Sequence, residues 1–320
     1  MNLQHPFPFD PSHGYTPEQL RTIQPPAEPP DFDAFWQSTR RATEQVPLAL
    51  QSTEITCPQP THRMFEVRYR TLDGIAVGAW LVLPKDRPVR MAAVMGHGYG
   101  PPGLPGVAPR DVAFLMTCAP GFSLSEQPGL PNTVPEHVVH GLASRETYLI
   151  RYCVAALWSS AWAMKELVPV ANDLLVYMGH SFGGGLGALM LPWEPLYRRA
   201  FIGVPTFGHH PLRLDLTCVG SGDAVQQYVA QHPEAREVLR YFDAANAATR
   251  IRIPILCMPA HFDPAVPPAG QMAVANALRS TGEICEVSAG HFEHPGLPAE
   301  MKKVEERIER AFWTEAPLWS

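Results

Sequence analysis

The chain has 320 residues, 46% of them hydrophobic and 18% charged, with a formal net charge of −6 at pH 7. This length can bury a sizeable core, and the mildly acidic charge argues against nucleic acid or an anionic membrane surface as a partner. The first residues lack the basic and apolar regions of a signal peptide, and no apolar run reaches the roughly 18 residues of a membrane span, so we expect a cytoplasmic protein.

The six cysteines are scattered without a Cys-x-x-Cys pair, and in a cytoplasmic protein we expect them to be reduced thiols. They are Cys57, Cys118, Cys153, Cys218, Cys257 and Cys285. Several histidines follow His209, but none has the H-E-x-x-H spacing of a zinc site. We therefore expect neither a metal nor another cofactor. The charged fraction lies below the usual value of about 25%, which favours burial of surface between subunits and predicts a homo-oligomer.

Residues 1–30 are rich in proline and are predicted to form an extension that wraps the surface, and residues 31–320 are predicted to form one domain. A helix is expected from Asp31 to Val46, with Asp31 as its N-cap and three aromatic residues on one face. Asp73-Gly74 then separates two strand-like runs and predicts a hairpin between residues 64 and 84.

After the hairpin, strands and helices alternate along the chain. Strands are predicted at residues 90–98, 173–181, 198–205, 253–263 and 283–288, and helices at 148–166, 183–191, 270–280 and 300–312. This alternation predicts an α/β fold whose mostly parallel, doubly wound sheet carries helices on both faces. In such sheets, chemistry takes place at the carboxyl ends of the strands.

The segment Gly179-His180-Ser181-Phe182-Gly183 fits the pattern G-x-S-x-G between a predicted strand and a predicted helix. In that context a sharp turn exposes the serine hydroxyl at a helix N-terminus, and the small flanking residues let the backbone pass. The pattern therefore predicts Ser181 as a nucleophile. A merely tight turn without chemistry is the plain alternative.

A second alternative for this region is dinucleotide binding, since residues 183–188 also fit G-x-G-x-x-A after a strand. That site needs an acidic residue about 20 residues further on to hold a ribose. The corresponding region reads FIGVPTFGHH and contains no acidic residue. We therefore favour the nucleophile.

A serine nucleophile needs a histidine base, and the base needs an acid that orients it. Asp263 follows the predicted strand IPILCMPA, and His291 follows the strand-like EICEVS. An aspartate before proline is common in turns, and neither it nor a histidine in a loop indicates a catalytic role by itself. The order Ser181, Asp263, His291, with each residue after a strand, predicts a catalytic triad.

The oxyanion of an acyl-transfer reaction needs two N–H donors. The backbone N–H of Phe182, after the nucleophile, is one candidate, and that of Tyr99, within the glycine-rich loop after the strand RMAAVM, is the other. The side chains of His97, Tyr99, His180 and Phe182 are predicted to line the substrate pocket.

At these residues the chain resembles the acetyl xylan esterase and cephalosporin C deacetylase family, which has the α/β-hydrolase fold and is also called carbohydrate esterase family 7. The resemblance covers roughly residues 30–315 and is most specific between Tyr241 and Pro268. It implies the triad of Ser181, Asp263 and His291, oxyanion donors at Tyr99 and Phe182, small acetyl esters as substrates and a homo-oligomer, commonly a hexamer.

Two positions depart from the family pattern. Residues 118–122 read CAPGF where the family has an Arg-Gly-Gln motif, and Phe182 stands where glutamine is usual. The predicted function is a serine esterase acting on small acyl esters of carbohydrates or related small molecules. The alternatives are a hydrolase of another bond, such as a peptidase or a lactone hydrolase, and a catalytically silent binding or scaffold protein.

Overall fold

The structure, a computed structural model, describes residues 3–106, 111–278 and 282–313. Nine strands form one sheet in the order β1-β2-β3-β5-β4-β6-β7-β8-β9. The strands are β1 (Gln51–Ile55), β2 (His62–Arg70), β3 (Ala76–Pro84), β4 (Met91–Gly96), β5 (Val112–Thr117), β6 (Leu175–His180), β7 (Tyr197–Gly203), β8 (Ile255–Met258) and β9 (Gly282–Ile284).

Helices precede, connect and follow the strands of the sheet. In the described residues they are α1 (Pro17–Leu20), α2 (Phe32–Glu44), α3 (Val134–Val139), α4 (Leu149–Leu167), α5 (Phe182–Met190), α6 (His210–Asp215), α7 (Ser221–Gln231), α8 (Ala235–Leu239), α9 (Ala244–Ala248), α10 (Pro268–Ala277) and α11 (Leu297–Ile308). A short π-helical turn, Glu309–Trp313, follows α11. None of these helices combines the length and apolar character that a membrane crossing requires.

The first three strands pair antiparallel, and β3 pairs antiparallel with β5, while the remaining neighbours are parallel. Asp73 and Gly74 make the turn between β2 and β3 with φ of 54° and 76°, the left-handed conformation that asparagine, aspartate and glycine tolerate best. The predicted hairpin and the predicted α/β class with a mostly parallel sheet are therefore confirmed.

Alternate residues of the central strands enter different apolar cores, because successive side chains of a strand point to opposite faces. Ala92 and Val94 of β4 lie in the larger core with α4 and α5. Met91 and Ala93 lie in a second core with Val304 of α11. The sheet is therefore covered by helices on both faces, as the sequence predicts.

Two elements differ from their predictions. Asp31 precedes α2 but makes no capping hydrogen bond, because its carboxylate accepts hydrogen bonds from Arg145 Nη1 (2.7 Å) and Tyr241 Oη (2.6 Å). The strand expected at residues 283–288 is shorter, since β9 ends at Ile284 and a single further bridge joins Val287 to Ala260. The last two residues of the helix predicted at 270–280 lie outside the described residues.

Candidate active site

Ser181 lies in a sharp turn between β6 and α5, with φ of 56° and ψ of −112°. A serine rarely adopts positive φ, so this backbone is strained. The turn also packs closely against β4, because a Cβ added to Gly183 would lie 2.1 Å from the carbonyl oxygen of Gly96. Glycine is therefore required at position 183, and the strained turn exposes the Ser181 hydroxyl at the N-terminus of α5.

The three residues of the predicted triad lie within hydrogen-bonding distance of one another. His291 Nε2 lies 2.9 Å from Ser181 Oγ, and His291 Nδ1 lies 2.8 Å from Asp263 Oδ2. Because an ionised carboxylate can only accept a hydrogen bond, Nδ1 carries a proton and donates a hydrogen bond to Asp263. In the neutral imidazole, Nε2 is then the acceptor that faces the serine hydroxyl. This arrangement can take a proton from Ser181.

Asp263 is fully buried, and protein donors bind both of its carboxylate oxygens. Oδ1 accepts from the backbone N–H groups of Ala265 and Val266, each at 2.9 Å. Oδ2 accepts from the side-chain amide of Gln271 at 2.9 Å in addition to His291. Gln271 is itself held because its Oε1 accepts from Ala260 N at 2.8 Å. These donors compensate the buried charge and fix the carboxylate.

The His291 side chain is 26% exposed. Burial disfavours its charged form and lowers its pKa, but the hydrogen bond and the negative charge of Asp263 act in the opposite direction. Their sum raises the pKa of His291 above its ordinary value of 6.5. A raised pKa makes the imidazole a stronger base towards the serine hydroxyl.

The N–H groups of Phe182 and Tyr99 are the predicted oxyanion donors. Within the described residues neither group donates to a protein acceptor. The loop that carries Tyr99 is joined to the nucleophile turn because Gly183 N donates to His97 O at 2.9 Å. Neither amide is therefore occupied by an acceptor from the part of the chain that the structure describes, which is a condition for an oxyanion donor.

A network of rings and hydrogen bonds supports the Tyr99 loop. His137 Nε2 donates to Pro120 O at 2.8 Å, so its Nδ1 accepts from the Tyr99 hydroxyl at 3.0 Å. Burial lowers the pKa of His137 to about 4, which keeps this ring neutral at pH 7. The ring of Phe122 stacks on His137 with centroids 4.3 Å apart. The CAPGF segment, which includes Phe122, therefore supports the predicted oxyanion loop.

His97 also joins the Tyr99 loop to the CAPGF segment. Its Nδ1 donates to Gly98 O at 2.5 Å, and its Nε2 accepts from Ala119 N at 3.0 Å. The side chain is buried, and burial lowers its pKa to about 4. A neutral ring is needed here because Nε2 acts as an acceptor.

Ser181 and His291 open into a cavity of about 370 Å³. Its lining residues are Gly98, Tyr99, Val134, His180, Ser181, Thr206, Val219, Gly220, Ser221, Ala265, Val266 and His291. Val219 is 40% exposed and is the most solvent-accessible valine of this lining. The volume is near the lower end of the range for small-molecule sites.

Two of the four predicted pocket residues, Tyr99 and His180, line this cavity, and the other two, His97 and Phe182, are not among its lining residues. The Phe182 ring is 1% exposed and stacks on the Tyr99 ring with centroids 4.0 Å apart. Residue 182 begins α5, and its side chain packs into the core while its N–H remains at the turn. The sequence pattern alone did not indicate that direction.

Gln271 was missed by the sequence analysis, and Gly290 makes a closer approach to the candidate triad than the sequence indicates. Gly290 N donates to Phe262 O at 2.8 Å, and a Cβ at position 290 would lie 2.4 Å from Asp263 Oδ2. Glycine before the histidine thus lets the base approach its acid. The spacing of Gln271, eight residues after Asp263 and on the first turn of a predicted helix, gave no separate signal.

Arg213 of α6 is an unusual buried charge. It is 3% exposed, and within the described residues none of its three side-chain nitrogens has a hydrogen-bond partner. Its guanidinium lies over the Phe207 ring, 5.4 Å from the centroid. Cation–π contact offsets part of the desolvation cost but does not satisfy the N–H groups.

The described residues contain no cluster of three His, Cys, Asp or Glu side chains that could hold a metal ion. All six cysteines lie in the described ranges and are free thiols, with five buried and Cys57 partly exposed. Burial raises the pKa of the Cys118 thiol to about 12. Cys118 is therefore a poor nucleophile at neutral pH.

The sequence matches the acetyl xylan esterase (AXE1) family over residues 15–308. Among solved structures, it is similar to an acetyl xylan esterase from Paenibacillus sp. R4, with a TM-score of 0.82 at 22% identity over 92% of this chain and 99% of the other. Acetyl xylan esterase 1 from Thermoanaerobacterium sp. JW/SL YS485 gives a TM-score of 0.79 at 21% identity over 92% and 98%.

A more distant similarity is to an acylaminoacyl peptidase from Pyrococcus horikoshii, with a TM-score of 0.59 at 13% identity. It covers 87% of this chain and 44% of the peptidase chain. At these identities the structural similarities establish the fold, which is the predicted α/β-hydrolase fold, whereas the sequence match over residues 15–308 establishes the family.

Proposed function

The chain belongs to the acetyl xylan esterase (AXE1) family and is a serine carboxylic ester hydrolase, and we propose that it removes acetyl groups from carbohydrates or related small molecules. The observation that carries this proposal is the continuous hydrogen-bonded series Ser181, His291, Asp263 at the mouth of a cavity. The cavity volume of about 370 Å³ supports a small acyl group.

In the proposed reaction, His291 Nε2 takes the hydroxyl proton of Ser181 as the oxygen attacks the ester carbonyl. Asp263 keeps the other imidazole nitrogen protonated and stabilises the imidazolium that forms. The N–H groups of Phe182 and Tyr99 bind the oxyanion. His291 then protonates the leaving alcohol, and a water molecule activated by the same imidazole cleaves the acyl-enzyme.

The proposal is tested by labelling the protein with diisopropyl fluorophosphate and locating the adduct by mass spectrometry. We expect one adduct, on Ser181, and we expect Ser181→Ala to fold normally and to lose at least about a thousandfold in ester turnover, because triad residues act as a unit. An unlabelled Ser181 in folded protein, or an adduct at another residue, would contradict the proposed nucleophile.

A matched pair of substrates separates an esterase from a peptidase. Nitrophenyl acetate offers an ester, and nitroacetanilide offers an amide of the same acetyl group with a similar nitroaromatic leaving group. We expect turnover of the ester and little turnover of the amide. Release of acetate from acetylated xylo-oligosaccharides then tests whether the alcohol part is a carbohydrate.

A further inference from the structure

The first residues of the chain lie against the two loops that carry Asp263 and His291. Residues 3–14 precede the part of the chain that matches the family, which begins at residue 15. From residue 3 to residue 10, burial alternates strictly between half-buried and exposed. This alternation indicates an extended segment with one face, formed by Leu3, His5, Phe7 and Phe9, against the domain.

A backbone hydrogen bond joins this segment to the acid of the triad. Asp263 N donates to Pro11 O at 3.2 Å, and both residues are buried. The Pro11 carbonyl lies in a turn in which the Asp10 carboxylate accepts from Ser12 N at 2.9 Å and Gly14 N at 3.2 Å. The N–H of Asp263 thus depends on the N-terminal segment for its acceptor, and an unpaired buried N–H is costly.

Aromatic rings make a second connection, on the residues next to the acid and the base. The His5 ring lies 5.3 Å from that of Phe262, which precedes Asp263, and the Phe7 ring lies 6.0 Å from that of Phe292, which follows His291. Phe262 and Phe292 also contact each other, with centroids 5.1 Å apart. Two rings of the N-terminal segment therefore pack on one ring from each triad loop.

We propose that His5, Phe7 and Pro11 form an N-terminal brace that positions the acid and the base of the triad relative to each other. The proposal rests on the proposed function, because the brace acts through Asp263 and His291. No residue of the brace lines the cavity. The brace should therefore affect the chemical step and leave substrate binding nearly unchanged.

The test uses Phe7→Ala in the full chain, with nitrophenyl acetate as substrate. We expect kcat to fall about tenfold, since small displacements of catalytic groups have large effects on rate, and KM to stay within about twofold. A looser contact between His291 and Asp263 should also move the acid limb of the pH–kcat profile to lower pH. Phe7→Tyr keeps the ring and should retain both rate and profile.

Phe9→Ala is the matched control, because its ring contacts Phe7 and His13 and not the rings of the triad loops. We expect its acid limb to stay in place. If Phe7→Ala does not fold, Phe7→Leu takes its place, since it retains most of the apolar volume and removes the ring. The double variant Phe7→Ala/Phe292→Ala should lose little more than the stronger single variant, as expected for residues acting through one contact.

The brace is contradicted if the folded Phe7 variant keeps the wild-type kcat, or if its rate falls while the acid limb stays in place. Failure of the proposed function is a different outcome. In that case the wild-type protein itself neither hydrolyses the ester nor reacts with diisopropyl fluorophosphate at Ser181. If the wild-type protein is active and the Phe7 variants have the same kcat and pH profile, only the proposed brace is contradicted.

Discussion

The side-chain amide of Gln271 donates to Asp263 Oδ2 at 2.9 Å, the same oxygen that accepts from His291 Nδ1. Two donors therefore converge on one oxygen of a fully buried carboxylate. The amide fixes the direction of this oxygen before the imidazole binds to it. Gln271 contacts neither Ser181 nor the cavity, so it is a positioning residue.

We predict that Gln271→Met folds and loses about tenfold or more in kcat with little change in KM, because the acid would no longer be held in one orientation. Steady-state kinetics on nitrophenyl acetate measure both parameters. Gln226→Met is the control, since the Gln226 amide also donates to two partly buried backbone carbonyls, those of Arg213 and Leu216, but does not touch the triad. Equal losses of kcat in the two variants would argue against a specific role for Gln271.

Gly290→Ala should impair turnover strongly. The added Cβ would lie 2.4 Å from Asp263 Oδ2 and 2.8 Å from Val204 Cγ1, so the acid or the His291 loop must move. We expect kcat to fall by about a hundredfold, the effect typical of an ångström-scale misplacement. Gly103→Ala, where a Cβ meets no atom within 4 Å, is the matched control and should behave as wild type. A fully active Gly290→Ala variant would show that turnover does not require the close approach of His291 to Asp263.

His294 lies three residues after His291 and is the other histidine of this segment. The variants His291→Ala and His294→Ala test which of the two is the base. We expect the first to abolish turnover and the second to keep most of it, because the His294 side chain accepts from Gly296 N at 3.2 Å and lies 3.8 Å from Glu300. The reverse pattern would identify His294 as the base.

The pH dependence of the wild-type protein follows from the raised pKa of His291. Activity requires the neutral imidazole, so it should fall as pH decreases through a pKa above 6.5. The contribution of His291 to the free energy of unfolding depends on pH in the opposite direction. The protonated His291 is favoured in the folded state, so its contribution is full below about 6.5 and is lost as pH rises through the folded-state pKa. The activity profile of the wild type measures the first effect, and the unfolding profiles of wild type and His291→Ala measure the second. An acid limb below pH 6.5 contradicts the raised pKa.

Short acyl chains should be preferred, and acetyl esters should be hydrolysed faster than octanoyl esters. The Phe182 ring does not narrow the cavity, because it is buried against Tyr99, so this prediction rests on the cavity volume of about 370 Å³. A pocket misfit of a methylene changes rates by about 10–200-fold. Rates on nitrophenyl esters that rise with chain length up to eight carbons would contradict the prediction.

Arg213→Met should leave the free energy of unfolding unchanged or increase it. The guanidinium is buried without a hydrogen-bond partner in the described residues, and replacing buried charge by an apolar side chain of similar volume is often neutral or stabilising. Arg40→Met is the contrasting control. Its guanidinium binds the buried Glu194 at 3.0 Å, and leaving that carboxylate without its cationic partner should cost about 3 kcal/mol. Urea unfolding measures both changes. A large decrease in the free energy of unfolding for Arg213→Met would indicate that an acceptor binds the Arg213 guanidinium.

The fold and the order of the candidate triad could be predicted because both depend on short-range patterns. Alternating strands and helices place Ser181, Asp263 and His291 after strands whose carboxyl ends meet at one edge of the sheet. Gln271 and the Pro11 carbonyl could not be predicted, because their contacts with Asp263 join segments whose relative placement depends on the packed structure. The direction of the Phe182 ring was missed for the same reason.

The close approach of Gly183 to Gly96 has a consequence for how this protein can evolve. The nucleophile turn and the predicted oxyanion loop meet backbone to backbone, with no side chain between them. The spacing of these two backbones therefore does not depend on any side chain packed between them, provided that the glycines remain. Cavity residues such as Val134, Val219 and Val266 can then be exchanged one by one, so that new substrates can be acquired without rebuilding the reaction centre.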